Sequence, residues 1–352
     1  DWSDPKFTQN VLKNIDGMSQ EVCPFALLPF EDNPENQLKR AKYFFETKYK
    51  RISEDISYFP KKKIRVGYFS ADFRKHAVMY LIKGLFELHN KEQFDIYIYS
   101  MNSKEDELTD ELKKNVNIFR NISDLSDENA VCIAREDSLD IAVDLMGYTK
   151  NMRLSIFSLR VAPIQISYLG YPGSTGADCI DYLIADKVII PDKFRKFYSE
   201  KVIYMPNCYQ CNDSKRKTSK KEFRKTELGL PENAFVFACF NANNKITSVE
   251  FDIWMRLLKK FKNSVLWLYK SNDYSEINLK KESENRGVES SRIIFADYLC
   301  NEEHLSRIKC ADLFLDTFNF NAHTTASDAL WSGVPVITKQ GKSFSARVCS
   351  SL

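Results

Sequence analysis

The sequence predicts an α/β protein of two lobes, each a parallel sheet with helices on both faces, and a cleft between them. Three observations carry that expectation. From residue 63 onward, short apolar runs alternate with amphipathic helical stretches, the pattern of βαβ units. The alternation is broken once, by the lysine-rich CNDSKRKTSKKEFRKTELG at 211–229, and then restarts. A chain of 352 residues also exceeds what one compact core usually holds, so two domains is the natural division.

Residues 1–58 are charged and helix-forming, as in NQLKRAKYFFETKYK, and are expected to be a helical lead-in packed on something else. In a first lobe over 59–206, IRVGYFS (64–70), FDIYIYS (94–100), DIAVDL (140–145), APIQISYLG (162–170), DYLIAD (181–186) and KVIYMP (201–206) read as strands. AVMYLIKGLFELHN (77–90) is an amphipathic helix, with a charged helix near 105–115 and a short one near 127–135. Residues 207–230 are expected to be a basic, solvated linker. In the second lobe, 231–352, the strands are FVFACF (235–240), VLWLY (265–269), RIIF (292–295), ADLFLD (311–316) and VPVIT (334–338). Helices SVEFDIWMRLLKKF (248–261), one near 275–286, EEHLSRIKC (302–310) and one within NAHTTASDALWSG (321–333) separate them. The chain stops at SARVCSSL, a few residues into another helical run, so this lobe is expected to be truncated.

Composition narrows the function. With 51 basic and 48 acidic residues the net charge is only +3, which argues against a dedicated nucleic-acid surface. No run reaches the roughly 18 apolar residues of a membrane span, and the opening DWSDPKF is not a signal peptide. Nine scattered cysteines lack the spacing of a secreted framework and point to a reduced, cytoplasmic setting. Cys208 and Cys211 form a lone CYQC without the second pair of a zinc site. No DxD-like carboxylate pair offers a metal a seat over a diphosphate, so a metal-free site is expected.

In open parallel sheets, ligands sit beyond the carboxyl ends of the strands. Four groups of residues fall there. His76 follows strand 64–70, Lys245 follows 235–240, His304 and Arg307 follow 292–295, and His323, Thr324 and Thr325 follow 311–316. Each has an ordinary structural explanation. Thr325 and Asp328 have the spacing of a helix capping box, and Lys245 directly precedes another, Thr247–Glu250. His304 and Arg307 share one helix face that water could cover, and His76 could cap a helix or pack in a core. Together they describe something else. An imidazole in one lobe would face a lysine, an arginine and a hydroxyl-lined helix start in the other, which suits a nucleotide diphosphate whose charge is met by Lys245 and helix dipoles.

The residues also carry a resemblance. RVGYFSADFRKH (65–76), VDLMGYTK (143–150), APIQISYLGYPGSTGADCIDYLIAD (162–186), YSEKVIYMPNCYQCND (198–213) and ADLFLDTFNFNAHTTASDALWSGVPVIT (311–338) resemble the catalytic region of the O-linked N-acetylglucosamine transferase family, the bacterial branch beside SPINDLY. The resemblance implies a GT-B fold of two Rossmann-like lobes and a metal-independent, inverting transfer of GlcNAc from UDP-GlcNAc to Ser or Thr of proteins. Tetratricopeptide repeats usually precede such a region; residues 1–58 would connect to them, and the repeats would supply further protein contacts. By position, His76 matches the acceptor-side histidine proposed as general base, and Lys245 the lysine on the donor diphosphate. His304 and Arg307 match residues near the base and phosphates, His323, Thr324 and Thr325 the phosphate cradle, and Asp328 the ribose carboxylate. Asp144 and Tyr148, at another strand end, are candidates to line the sugar pocket, and packing at the core edge explains them equally well. Two positions depart: Ala242 stands where the family usually has an amide that meets the donor, and Asn301 stands where the animal enzymes have a base-side lysine. Three other functions stay open at this point: transfer of fucose from GDP-fucose as in the plant SPINDLY branch, an inactive nucleotide-sugar-binding scaffold, or another GT-B activity such as a sugar epimerase.

Overall fold

The computed structural model describes residues 2, 6–17, 22–49 and 61–352; the rest of the expected lead-in lies outside the described residues. Within it are helices α1 (Phe7–Gly17), α2 (Pro24–Leu27) and α3 (Pro34–Lys48). The Asn33 side chain caps α3 by accepting from the Glu35 and Asn36 N–H groups, and Pro34 occupies the first turn, where no donor is needed. Ala41, Phe44 and Phe45 of α3 are buried in a first-lobe core with Leu28. The lead-in also reaches the second lobe: Asn319 Nδ2 donates to the Pro29 carbonyl at 2.9 Å, and the Asp32 carboxylate accepts from Lys342 N–H at 2.8 Å and Ser343 N–H at 2.7 Å.

The first sheet contains β1 (Ile64–Ser70), β2 (Phe94–Ser100), β3 (Ile118–Asn121), β4 (Ile141–Asp144), β5 (Ile164–Ser167), β6 (Tyr182–Ala185) and β7 (Lys201–Tyr204). Its order is β3-β2-β1-β4-β5-β6-β7, and every pairing is parallel. Helices α4 (Ala77–Leu88), α5 (Glu107–Asn115), α6 (Asp127–Glu136) and α7 (Leu154–Ser158) connect the strands. The two faces of β1 and β2 feed different cores. Phe69, Tyr97 and Tyr99 join one, while Val66, Tyr68, Ile96 and Ile98 join the other. That is the period of two expected of strands buried on both faces.

The second sheet contains β8 (Phe235–Cys239), β9 (Ser264–Tyr269), β10 (Ile293–Ala296), β11 (Leu313–Leu315) and β12 (Val336–Ile337), in the order β10-β9-β8-β11-β12, again all parallel. Helices α8 (Ser248–Lys260), α9 (Asp273–Asn285), α10 (Asn301–Arg307), α11 (Thr324–Trp331) and α12 (Val348–Ser351) complete it. The strand order reverses beside β1 in one sheet and beside β8 in the other. These two switch points are where ligands of such sheets bind.

Two expectations about organisation are corrected. The connector is not wholly solvated. Lys215, Lys217, Lys220 and Lys221 are exposed, but the Arg216 side chain is only 3% exposed because a buried carboxylate receives it. The connector also lies along α10, with Ser219 N–H donating to the Glu302 carbonyl at 2.9 Å. The last residues, expected within the second lobe, pack on both lobes: Cys349 and Leu352 join a second-lobe core, but their neighbours do not. Phe344 and Val348 enter a first-lobe core because their apolar side chains find Tyr209 and its neighbours there, and Arg347 donates to the Val188 carbonyl at 2.7 Å.

Candidate functional site

The second switch point is organised by Asp316, which follows β11 and is 2% exposed. Its carboxylate accepts from Thr317 N–H at 2.8 Å, Ala322 N–H at 2.6 Å, Asn241 Nδ2 at 3.2 Å and the Thr338 hydroxyl at 2.7 Å. These bonds fold 317–322 into a fixed loop, closed by Asn321 Nδ2 on the Thr317 carbonyl at 2.7 Å. Burial pushes the Asp316 carboxyl up to about 6, against these donors. The loop delivers His323 to the position before α11.

The capping box anticipated for this helix is not formed. His323 is the N-cap and makes no side-chain capping bond. The Thr325 hydroxyl instead donates to Asn241 Oδ1, and Asp328 pairs with Arg216. The first turn of α11 is left without a capping side chain, and His323 Nε2 is buried with no hydrogen-bond partner. Buried polar groups without partners are rare in proteins and ask for an explanation.

Lys245 closes a short 3-10 turn, Asn243–Lys245, after β8. Its ammonium donates to the Asn321 carbonyl at 3.3 Å and lies 3.6 Å from the centre of the Phe320 ring. Burial brings Lys245 down to about 8, with Asp316 opposing the shift. Burial, and then the nearby Lys245, hold His323 far below the ordinary histidine range, so its ring is neutral at pH 7. A neutral imidazole, a poorly solvated ammonium and an uncapped helix start converge here, and all three gain from an anion. The predicted Thr247–Glu250 box is formed at α8, so Lys245 stands just outside a satisfied helix.

The second cluster lies along α10. Arg307 Nε donates to His304 Nδ1 at 3.3 Å, which leaves the ring proton on Nε2, 3.7 Å from the Asp328 carboxylate. Burial, followed by Arg307 and Arg216, pushes His304 down to about 3; it is a neutral hydrogen-bonding group at physiological pH. The Arg307 guanidinium stacks on Phe240 at 5.1 Å and is itself buried. These residues are therefore not a solvated face. Asn301 Oδ1 is 3.5 Å from Arg216 Nη2, and Ala242 is exposed.

In the first lobe, His76 is the N-cap of α4, its Nδ1 accepting from Val78 N–H at 3.3 Å. The same nitrogen is 3.3 Å from Asp72 Oδ2. Nδ1 can cap the helix as an acceptor or meet Asp72 as an N–H donor, and only the second tautomer leaves Nε2 free to take a proton. Burial lowers His76 below its ordinary value while Asp72 pulls it up. Asp144 and Tyr148 are both buried and bonded to backbone groups. Asp144 accepts from the Met146 and Gly147 N–H groups at 2.9 Å each, and the buried Tyr148 hydroxyl donates to the Thr175 carbonyl within the core.

Sequence reasoning missed Asp316, Asn241, Asp72 and Arg216. Asp316 ends a strand and Asp72 lies four residues before His76, signals available in principle; nothing marks Arg216 among its basic neighbours. Among the described residues no group of three or more His, Cys, Asp or Glu side chains is placed to hold a metal ion, and no helix is long and apolar enough to cross a membrane.

The family model for glycosyl transferase family 41 matches residues 36–225 and 222–352. The chain is 36% identical over 297 residues to a probable UDP-N-acetylglucosamine–peptide N-acetylglucosaminyltransferase, SEC, of Arabidopsis thaliana, covering 83% of this chain and 30% of that protein. It is 30% identical over 303 residues to the SPINDLY protein of the same plant, named as a probable enzyme of the same kind, covering 83% and 33%. The chain thus spans about a third of the length of these relatives. Among solved structures, a mutant O-GlcNAc transferase of Thermobaculum terrenum superposes with a TM-score of 0.82 at 25% identity, covering 98% of this chain and 67% of that one. The two parallel-sheet lobes are thus of the GT-B kind, and the chain belongs to glycosyl transferase family 41.

Proposed function

We propose that this chain is the catalytic part of a cytoplasmic transferase that moves GlcNAc from UDP-GlcNAc to Ser or Thr hydroxyls of proteins, inverting the anomeric centre without a metal ion. The observation that carries the reading is the cluster at the second switch point: Lys245, the partnerless His323 Nε2 and the uncapped start of α11. The names of the relatives support the donor and the acceptor class.

In this reading the diphosphate lies against Lys245, His323, Thr324 and Thr325, the ribose against Asp328, and the base near His304 and Arg307. The acceptor hydroxyl oxygen attacks the anomeric carbon as the bond to the β-phosphate oxygen breaks. UDP departs with the bonding electrons, and Lys245 and the α11 dipole stabilise the charge that grows on it. The hydroxyl proton passes to neutral His76, whose Nε2 becomes available when Nδ1–H turns to Asp72. The lobes are assigned as 59–206 for the acceptor side and 231–352 for the nucleotide sugar, with 207–230 between them. Repeats preceding the chain would hold protein acceptors.

The test is mass spectrometry of a Ser/Thr-rich peptide incubated with the chain and either UDP-GlcNAc or GDP-fucose. Gain of one N-acetylhexosamine from UDP-GlcNAc supports the reading. Gain of a deoxyhexose from GDP-fucose, with none from UDP-GlcNAc, replaces it with the fucosyl function.

A further inference from the structure

Asp328, assigned above to the ribose, is met in the structure by a guanidinium that comes from the connector between the lobes. The Arg216 and Asp328 side chains form an ion pair at 3% and 6% exposure. Arg216 Nη1 also lies 3.3 Å from Asn212 Oδ1, and its Nη2 lies 3.5 Å from Asn301 Oδ1. The other Asp328 oxygen is 3.7 Å from His304 Nε2. Arg216 is therefore the hub of a polar cluster linking the connector, α10 and α11.

The cluster is held from several sides. Gln210 Nε2 donates to the Ser327 hydroxyl at 2.6 Å, one residue before Asp328. Lys215 pairs with Glu87 on α4 of the first lobe. Ser219 N–H bonds to Glu302 on α10 at 2.9 Å. Lys215 and Lys217, the neighbours of Arg216, are exposed, so the burial of this one cation follows from its carboxylate partner and not from the composition of the run.

A carboxylate this deeply buried stays charged only with a compensating partner. A charged Asp328 accepts two hydrogen bonds from a ribose diol more strongly than a neutral acid, which keeps one oxygen as a donor. Arg216 engages Oδ1 and leaves Oδ2 on the His304 side. A planar guanidinium can reach Asp328, Asn301 and Asn212 at once, which an ammonium on a lysine stem cannot do with the same geometry.

We infer that Arg216 is a positioning residue of the donor site: it fixes the Asp328 carboxylate as a charged acceptor for nucleotide ribose hydroxyls and so ties the interlobe connector to nucleotide binding. The inference rests on the assignment of Asp328 to the ribose.

The experiment is calorimetric titration with UDP and with 2′,3′-dideoxyuridine diphosphate, which lacks both ribose hydroxyls. The proteins are the 352-residue chain, Arg216→Met, Arg216→Lys, Asp328→Asn and the double variant Arg216→Met/Asp328→Asn. Expected is a loss of UDP affinity of about tenfold or more in Arg216→Met and in Asp328→Asn, with the double variant no worse than either. Arg216→Lys falls between. Affinity for the dideoxy compound stays unchanged in all four, which a general loosening of the fold would not give. If Asp328→Asn weakens UDP and Arg216→Met does not, or tightens it, the inference is overturned while the ribose assignment stands. Independent, multiplying losses in the double variant overturn it too. Full UDP affinity in Asp328→Asn removes the ribose assignment itself, and the inference with it. Should Arg216→Met fail to fold, the double variant leaves no buried unpaired charge, and Arg216→Lys carries the test: unaltered UDP affinity there contradicts the inference.

Discussion

At the switch point of the first sheet, His76 caps α4 and leans on Asp72; at that of the second, His323 heads α11, caps nothing, and keeps a buried nitrogen without a partner. The same topological position thus carries two kinds of histidine. The first has Nδ1 held within the protein and can exchange Val78 N–H for Asp72 there, which frees Nε2. The second sits beside an ammonium and an uncapped helix start, a setting that favours an anion. Topology fixes where chemistry can happen; which groups are left unsatisfied decides whether a lobe binds or reacts. On this account the second lobe holds the donor and the first handles the acceptor proton.

Removing either histidine's function should separate the lobes. His76→Ala is expected to lower peptide glycosylation about 10²–10⁴-fold, the usual worth of a general base, while UDP affinity changes by less than about twofold. A variant that loses UDP binding as well would erase the distinction. Asp72→Asn should cost less, about tenfold in turnover, because it removes only the partner that frees His76 Nε2. Asp72 raises the His76 value, so without it the acid limb of the pH–rate profile should move to lower pH. A limb that stays in place would show that Asp72 serves the fold alone.

The binding lobe has its own pH signature. Burial brings Lys245 down to about 8 from 10.5, and a bound diphosphate raises it again. Below about pH 8 the ammonium is already charged and its contribution is constant. Above it, binding must take up a proton, so UDP affinity should fall by up to about tenfold per pH unit until the bound-state value is reached. Titrations between pH 7 and 10 would show the slope, and Lys245→Met should abolish it. The smallest effect is expected at Thr247→Ala, which removes the α8 cap: about 1 kcal/mol of stability in chemical denaturation, with UDP affinity unmoved. A loss of UDP binding there would mean that the helix start, and not Lys245 beside it, faces the donor.

Much of this fold could be read in the sequence because its central strands are buried on both faces and stand out as apolar runs, as IRVGYFS and FDIYIYS do. β3, only four residues long with an exposed polar end, gave no period to read. The HTT motif and Lys245 were legible as chemistry at strand ends. The capping-box reading of Thr325 and Asp328 failed because tertiary partners, Asn241 and Arg216, competed for both side chains. Arg216 lies 112 residues from Asp328 within a run of similar cations, and a pairing at that distance leaves no local trace. Of the two readings open for Asp144 and Tyr148, sugar pocket or core edge, the sequence could not choose: Asp144 closes the turn after β4 through the Met146 and Gly147 N–H groups, and the Tyr148 hydroxyl meets a carbonyl 27 residues away.

The central claim is that Lys245 and the start of α11 form a diphosphate site for a uridine nucleotide. Calorimetric titration of the chain with UDP and with GDP, alongside Lys245→Ala, tests it most directly. The account predicts UDP binding that weakens at least about tenfold in the variant and much poorer binding of GDP. Equal UDP affinity with and without Lys245, in proteins that both fold, would contradict it.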